Sequence, residues 1–286
     1  MNAVPVDGRT TICAVIGNPI EHSLSPAIHN AAFAACGMNW AYVAFSVTHL
    51  EKAITGIRGL GIRGVSVTIP HKVAVMPLLD SIADSARTIG SVNTIVNTDG
   101  NLAGYNSDGA GALKALCDAG CNPSGKRVVM LGSGGAARAI AVTMSLQNPP
   151  AAITLLGIIK EEREQLSSDI AAKSSLKPAA AQLSPDVLSA ALQECDLLIN
   201  TTPVGMYPKK DASPVPRELL KKKTAVFDIV YNPRKTRLLR DAEQAGCTVV
   251  SGIEMFLNQA AIQFALWTGQ EAPLGVMRAV LEKHFT

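Results

Sequence analysis

Residues 126–146 read KRVVMLGSGGAARAIAVTMSL, and this stretch decides the fold. An apolar strand pattern, a glycine-rich turn and an Ala-rich helix pattern follow one another without a break. Gly132, Gly134 and Ala137 fit G-x-G-x-x-[GA], in which glycine lets the backbone approach a pyrophosphate at a helix N-terminus. The pattern alone is weak, since a tight strand-to-helix turn without a ligand can carry it. The βα units that follow it favour a nucleotide site.

Strand and helix patterns alternate along the rest of the chain. Repeated βα units of this kind predict an α/β protein with parallel sheets covered by helices. The predicted strands cover residues 11–17, 40–47, 64–69, 151–157, 196–200, 224–230 and 247–252, with a hairpin formed by 91–97 and 101–106 around Asp99-Gly100. Predicted helices cover 25–37 and 109–119, and another begins at Pro70.

The length of 286 residues predicts two domains, at roughly 100–200 residues each. We expect a Rossmann-type dinucleotide-binding domain over residues 108–252, because the glycine-rich unit begins its own sheet there. Residues 1–107 would form an α/β substrate and catalytic domain. The apolar helices of residues 253–286 would return to that first domain.

Composition excludes several classes of protein. A net charge of +3 and a single short basic run, Lys221 to Lys223, argue against a nucleic-acid partner. The six cysteines are scattered and no His/Cys cluster accompanies them, so we expect no metal and the reduced thiols of a cytoplasmic protein. The first ten residues lack the apolar core of a signal peptide, and no apolar run is long enough to span a membrane.

Polar residues follow several predicted strands. In open α/β sheets, ligands bind beyond the carboxyl ends of the strands. Hydroxyls, an amide, a lysine and a carboxylate meeting there would suit a small polyhydroxylated acid. Ser25 and Asp108 have an alternative role as helix caps. The residues concerned are Ser23, Ser25, Thr68, Lys72, Asn93 and Asp108.

Lys72 stands in GVSVTIPHK, residues 64–72, at an unusual place. Pro70 suits the first position of a helix, which would put Lys72 in the first turn. The helix dipole is positive there and disfavours an ammonium group, so proton exchange would become easier. A surface lysine with a packed stem is the alternative. His71 is expected to be structural or to face solvent.

The end of the second strand of the glycine-rich unit should indicate the cofactor. An acid there would hold the ribose of NAD, and an arginine would accept the extra phosphate of NADP. Gly157 is followed by Ile158, Ile159 and Lys160, with no acid at the strand tip and no arginine before Arg163. Lys160 could neutralise a phosphate, or it could be an ordinary solvated charge.

The chain resembles the shikimate dehydrogenase family from about Ile16 to Trp267. The motifs that carry the resemblance are GNPIEHSLSPAIHN, SVTIPHK, GSVNTIVN, NSDGAG, GSGGAARA, NTTPVGM, DIVYNP and GIEMFLNQAA, in that order. The resemblance implies NADP-linked, reversible reduction of 3-dehydroshikimate to shikimate, a step in chorismate and aromatic amino-acid biosynthesis.

The resemblance also implies roles for individual residues. Lys72 would be the acid/base residue, with Asp108 sharing in catalysis. Substrate contacts would come from Ser23, Ser25, Thr68, Asn93, Asp108, Tyr231 and Gln259. Cofactor contacts would come from Asp84, Gly132, Ser133, Gly134, Gly135, Ala136, Lys160, Thr201, Ile229, Gly252 and Met255.

One motif departs from the family. Members specific for NADP usually carry Asn-Arg-Thr where this chain has Gly157-Ile158-Ile159. We therefore expect NADP to be used with a weaker preference over NAD. A quinate/shikimate dehydrogenase that uses NAD or both cofactors is one alternative, and a non-catalytic dinucleotide-binding metabolite sensor is another. Formation of a homodimer is left open.

Overall fold

The computed structural model describes residues 6–285; residues 1–5, on which part of the signal-peptide prediction rests, lie outside them. The chain divides into two compact units. Unit 1 consists of the chain up to Ser107 together with the chain from Gln259 onward. Unit 2 is Asp108–Asn258. The predicted α/β class with two domains is confirmed.

The first part of unit 1 alternates strands and helices. Its strands are β1 (Thr11–Gly17), β2 (Trp40–Ser46), β3 (Gly64–Val67), β4 (Ser81–Ile82), β5 (Thr94–Thr98) and β6 (Asn101–Tyr105), and its helices are α1 (Ser25–Ala35), α2 (Leu50–Gly59) and α3 (Asp84–Ile89). The six strands form one sheet in the order β2-β1-β3-β5-β6-β4. Strand β1 is parallel to β2 and β3, whereas β5 is antiparallel to β3 and β6, as the predicted hairpin requires.

Unit 2 contains a second sheet of six strands. Its strands are β7 (Arg127–Leu131), β8 (Ala152–Gly157), β9 (Ala179–Gln182), β10 (Leu197–Asn200), β11 (Ala225–Asp228) and β12 (Thr248–Ser251), and its helices are α4 (Asp108–Asp118), α5 (Gly135–Gln147), α6 (Lys160–Lys173), α7 (Pro185–Leu192) and α8 (Arg237–Gln244). All strand pairs in this sheet are parallel, in the order β12-β11-β10-β7-β8-β9. This is the doubly wound order of the Rossmann fold, with its switch point between β7 and β10.

Two helices complete the chain: α9 (Gly252–Thr268) and α10 (Leu274–His284). Helix α9 begins in unit 2 and ends in unit 1, and α10 packs against α1. The buried Trp267 near the end of α9 donates from its indole Nε1 to the carbonyl of Ile95 in β5, at 3.0 Å. A Cβ at Gly64 would lie 2.4 Å from the Trp267 ring, so β3 needs glycine at that point.

Two local predictions were wrong. No helix begins at Pro70: residues 69–75 form turns, and a short 3₁₀ helix follows at Met76–Leu78. The argument from the helix dipole at Lys72 therefore fails. Strand β9, which the sequence reading omitted, is an edge strand made largely of alanine, a residue depleted in strands.

Candidate active site

Thr68 and Lys72 lie where β3 ends. The amide of Thr68 donates to the carbonyl of Ile16 in β1, at 3.0 Å. A Cβ at Gly17 would lie 2.4 Å from the Thr68 methyl carbon, so glycine lets these two strand ends approach. The carbonyl of Lys72 accepts from the amide of Val92, at 2.8 Å, and the Lys72 side chain is half-buried. Hydrogen bonds to other segments therefore fix the backbone around Lys72.

Asn93 is buried and hydrogen-bonds to the side chains of two residues and to one backbone amide. Its Nδ2 donates to Ser107 Oγ at 2.9 Å, and its Oδ1 accepts from the Ser107 amide at 2.8 Å and from Thr94 Oγ1 at 2.7 Å. Ser107 Oγ lies 3.5 Å from Oε1 of Gln259. The structure thus brings Asn93 and Gln259 to the same place, as neighbours of one serine.

Gln263 belongs to the same polar network, although it was not predicted as a site residue from the sequence. It is buried; its Oε1 accepts from Ser66 Oγ at 2.8 Å, and its Nε2 donates to Thr94 Oγ1 at 3.0 Å. The Tyr42 hydroxyl donates in turn to Ser66 Oγ, at 2.7 Å. Gln263 could have been found from the sequence, because it lies four residues after Gln259 on α9 and residues at that spacing share a helix face.

Ser23 and Ser25 lie at the start of α1. Helix α1 begins at Ser25, and Leu24 occupies the N-cap position without a side-chain cap, so the capping alternative for Ser25 is wrong. The amide of Ser25 donates to Ser23 Oγ at 3.3 Å. The Ser25 side chain is buried and that of Ser23 is half-buried.

Two histidines of unit 1 have structural positions. His71 is buried, and its Nε2 lies 2.9 Å from the carbonyl of Val47, so the solvent-facing alternative is wrong. His29 is 0% exposed and stacks on Tyr42, with ring centroids 4.6 Å apart. Neither ring nitrogen of His29 has a hydrogen-bond partner among residues 6–285. Burial lowers the pKa of His29 to about 3.

Asp108 and Tyr231 belong to unit 2. Asp108 is the buried first residue of α4. A Cβ on the next residue, Gly109, would lie 2.0 Å from Thr143 Oγ1, so glycine allows α4 to press against α5. Tyr231 follows β11 and stacks on Phe256 of α9, with ring centroids 4.7 Å apart.

The glycine-rich turn sits at the switch point of the second sheet. Gly132 follows β7 with φ of 100°, a conformation that favours glycine, and its Cβ would lie 2.5 Å from Thr201 Oγ1 at the end of β10. Gly134 and Gly135 are exposed at the start of α5, and a Cβ at either would meet no protein atom within 4 Å. Protein packing therefore does not require these two glycines, whereas close approach of a diphosphate to the helix N-terminus would. Ser133 and Ala136, both half-buried, complete the turn.

The cations after β8 have partners away from this turn. Lys160 begins α6 and lies 4.0 Å from Glu164, as an exposed pair one helical turn apart. Arg163 is buried and donates from Nη1 to the carbonyl of Gly157, at 2.8 Å.

An acid, Glu162, lies close to this turn, although the strand tip itself has none. Its side chain reaches from the first turn of α6 to the glycine-rich turn, where Ser133 Oγ donates to Glu162 Oε2 at 3.3 Å. A Cβ at Gly157 would lie 2.8 Å from the same Ser133 oxygen. The carboxylate of Glu162, the end of β8 and the glycine-rich turn therefore share one corner of unit 2.

The remaining predicted cofactor residues occupy separate positions. Ile229 and Gly252 adjoin, because a Cβ at Gly252 would lie 2.3 Å from the Ile229 carbonyl oxygen. Met255 is buried one turn further along α9. Asp84 lies in unit 1 as the exposed first residue of α3.

A buried carboxyl group at the end of β11 accepts hydrogen bonds from three residues of unit 2. Asp228 accepts from Asn200 Nδ2 at 2.9 Å, from Thr236 Oγ1 at 2.6 Å and from the amide of Val230 at 3.2 Å. Burial nevertheless raises the pKa of Asp228 to about 6, against the effect of those hydrogen bonds.

The strand order, the switch point and the open glycine turn define an α/β protein of the Rossmann dinucleotide-binding class. Comparison with known families is more specific. Residues 15–95 match the model of the shikimate dehydrogenase substrate binding domain, and residues 252–282 match that of the shikimate 5'-dehydrogenase C-terminal domain. The chain is 43% identical over 282 residues to shikimate dehydrogenase (NADP(+)) of Moorella thermoacetica, covering 98% of this chain and 95% of that one. The chain belongs to the shikimate dehydrogenase family.

Solved structures agree with this assignment. A crystal structure of shikimate dehydrogenase in complex with NADP+ matches with a TM-score of 0.92 and 38% identity, covering 99% of both chains. Shikimate 5-dehydrogenase from Listeria monocytogenes, in complex with shikimate and NAD, matches with a TM-score of 0.90 and 34% identity, covering 98% of this chain and 100% of that one.

Residues 6–285, which the structure describes, lack two further features. No helix in that range is both long and apolar enough to cross a membrane. Nor do three or more His, Cys, Asp or Glu side chains gather there in a group that could hold a metal ion. All six cysteines are unpaired.

Proposed function

We propose that the protein is an oxidoreductase that catalyses the NADP-linked, reversible reduction of 3-dehydroshikimate to shikimate. The observation that carries the proposal is 43% identity to a shikimate dehydrogenase (NADP(+)) over 98% of the chain. The same reaction would place the protein in chorismate and aromatic amino-acid biosynthesis. A cytoplasmic location remains a prediction from the sequence, and formation of a homodimer stays open.

Unit 1 is proposed to bind the substrate. Support comes from the match of residues 15–95 to a substrate binding domain and from the cluster of polar side chains around Asn93. Hydroxyl and amide groups in fixed positions suit a ligand with several hydroxyls. The proposed contacts are Ser23, Ser25, Thr68, Asn93 and Gln259 of unit 1, with Asp108 and Tyr231 of unit 2.

Unit 2 is proposed to bind the dinucleotide, and its residues fit one. The N-terminus of α5 is exposed, and Gly134 and Gly135 leave open space beside it, as a diphosphate requires. The nicotinamide supplies hydride when the cofactor is bound. The proposed contacts are Gly132, Ser133, Gly134, Gly135, Ala136, Lys160, Thr201, Ile229, Gly252 and Met255, with Asp84 of unit 1.

Lys72 is proposed to handle the proton. Reduction of the ketone leaves an alkoxide, to which the Lys72 ammonium gives a proton; oxidation of the alcohol requires the neutral amine to accept one. Asp108 would hydrogen-bond the reacting hydroxyl or hold the ammonium in position. The hydrogen bond from Val92 to the Lys72 carbonyl supports the proposal, because it fixes the backbone that carries the side chain.

A steady-state assay tests the proposal directly. The purified protein is given shikimate or quinate with NADP+ or NAD+, and formation of the reduced nicotinamide is followed by absorbance. We expect turnover of shikimate with NADP+. Turnover of quinate in preference to shikimate would identify the alternative enzyme. Dinucleotide binding without turnover of either acid would support the metabolite sensor instead.

A further inference from the structure

The corner of unit 2 formed by Glu162, Ser133 and the end of β8 lies where a Rossmann unit receives the ribose of the adenosine. In this fold, the side chain beyond the second strand discriminates between cofactors: an acid bonds to the 2′-hydroxyl of NAD, and an arginine accepts the 2′-phosphate of NADP. Here the second strand is β8, and the side chain that contacts the glycine-rich turn is an acid, through the 3.3 Å hydrogen bond from Ser133 Oγ to Glu162 Oε2.

Each of the three neighbouring cations has a partner outside the glycine-rich turn, although Lys160, whose pair is long and exposed, remains a proposed cofactor contact. Lys160 pairs with Glu164 on the exposed face of α6. Arg163 is buried under β8 and bonded to the Gly157 carbonyl. Arg138 of α5 forms an ion pair with Asp169. The charged side chain that contacts the glycine-rich turn is therefore the negative one, Glu162.

An acid in the first turn of a helix has an ordinary explanation, because the positive end of the helix dipole stabilises a negative charge there. Glu161 and Glu162 both stand in the first turn of α6, and both are exposed. The contact with Ser133 distinguishes Glu162, since consecutive helical residues point about 100° apart. Glu161 is therefore a matched control: it has the same charge and the same helical turn.

We propose that Glu162 is the residue that sets cofactor specificity, by opposing the 2′-phosphate of NADP and accepting a hydrogen bond from the 2′-hydroxyl of NAD. This inference rests on the proposed function. Its consequence is that the enzyme uses NADP with a narrow margin over NAD. The margin is set by repulsion at Glu162 and by the absence of an arginine at the strand tip, where Ile158 and Ile159 stand.

Direct binding measurements test this separately from catalysis. The affinities of NADPH and NADH are obtained by fluorescence titration for the wild type, Glu162→Gln and Glu161→Gln. Adenosine 2′,5′-bisphosphate and adenosine 5′-monophosphate serve as competing probes that differ in the 2′-phosphate. We expect Glu162→Gln to tighten binding of NADPH and of the bisphosphate about two- to fivefold at low salt, the range for one exposed, partly screened charge contact. NADH should bind equally or less tightly, and the gain should shrink as salt rises.

The outcomes separate the two proposals. An unchanged ratio of NADPH to NADH affinity in Glu162→Gln overturns the inference, and so does an equal change in Glu161→Gln, which would show only general electrostatics. Either result, with normal shikimate turnover, leaves the proposed function standing. A wild type that binds neither dinucleotide overturns both proposals.

Discussion

The buried His29 makes the stability of unit 1 depend on pH. Its ring is 0% exposed and stacks on Tyr42, and neither nitrogen has a hydrogen-bond partner within the described part of the chain. Burial lowers the pKa of His29 from 6.5 to about 3. Because the unfolded chain binds a proton below pH 6.5 and the folded chain does not, acid favours unfolding.

The size of the effect follows from the two pKa values. The contribution of a neutral His29 is complete above pH 6.5 and is lost as the pH falls toward 3. Linkage gives a slope of about 1.4 kcal/mol for each pH unit in that window, or about 2 kcal/mol between pH 6.5 and 5. His29→Leu removes the titrating ring, so the variant should lack this slope. At pH 7 we expect a difference of about 1 kcal/mol or less, since lost stacking opposes the removal of unpartnered nitrogens.

Tryptophan fluorescence suits this measurement. The two tryptophans, Trp40 and Trp267, both lie in unit 1, as His29 does. Urea unfolding would be followed by this signal at pH 7, 6 and 5 in the wild type and His29→Leu, with the exposed His49→Gln as a control. Parallel pH dependences in the wild type and His29→Leu would refute the reasoning.

Four further substitutions have defined outcomes. Lys72→Ala should lower kcat about 10²–10⁴-fold in the steady-state assay while thermal melts stay near wild type; full turnover would contradict the acid/base role. Asp108→Asn should melt like the wild type and lose most activity, and normal rates would refute a catalytic role. Gly109→Ala should lose about 1–3 kcal/mol in urea unfolding, because its Cβ would lie 2.0 Å from a neighbouring side chain, whereas Gly56→Ala in the open middle of α2 should lose nothing. The pKa of Asp228, raised from 3.8 to about 6, should make unit 2 more stable as pH falls from 6 to 3.8, by about 3 kcal/mol, and Asp228→Asn should abolish that gain in melts followed by circular dichroism.

The second sheet could be predicted from the sequence because its signals are local. The apolar segments of β7, β8, β10, β11 and β12 and the glycine turn each lie within a few residues. The exception, β9, forms at an edge from alanines that lack strand propensity, so only its pairing with β8 defines it.

The surroundings of the predicted site residues depend on contacts between distant parts of the chain. Pro70 was predicted to begin a helix, but the Lys72 carbonyl that follows it accepts a hydrogen bond from Val92. A contact between segments twenty residues apart cannot be predicted from the residues around Pro70 alone. Gln263 meets Asn93 across 170 positions of sequence. Glu162 lies beyond the strand tip in the sequence, and only the folded helix α6 brings its side chain to Ser133.

The two-part composition of unit 1 has a consequence for the nascent chain. Strands β1 to β6 leave the ribosome first, but Gln263 and Trp267, which bond to Ser66 and Ile95, are made only after all of unit 2. Until then these polar groups of the first sheet lack their final partners. The segment Asp108–Asn258 carries its whole sheet without interruption. Synthesis of unit 2 begins after that of unit 1, but unit 2 is therefore complete first. Unit 1 is complete only when the C-terminal helices have been made.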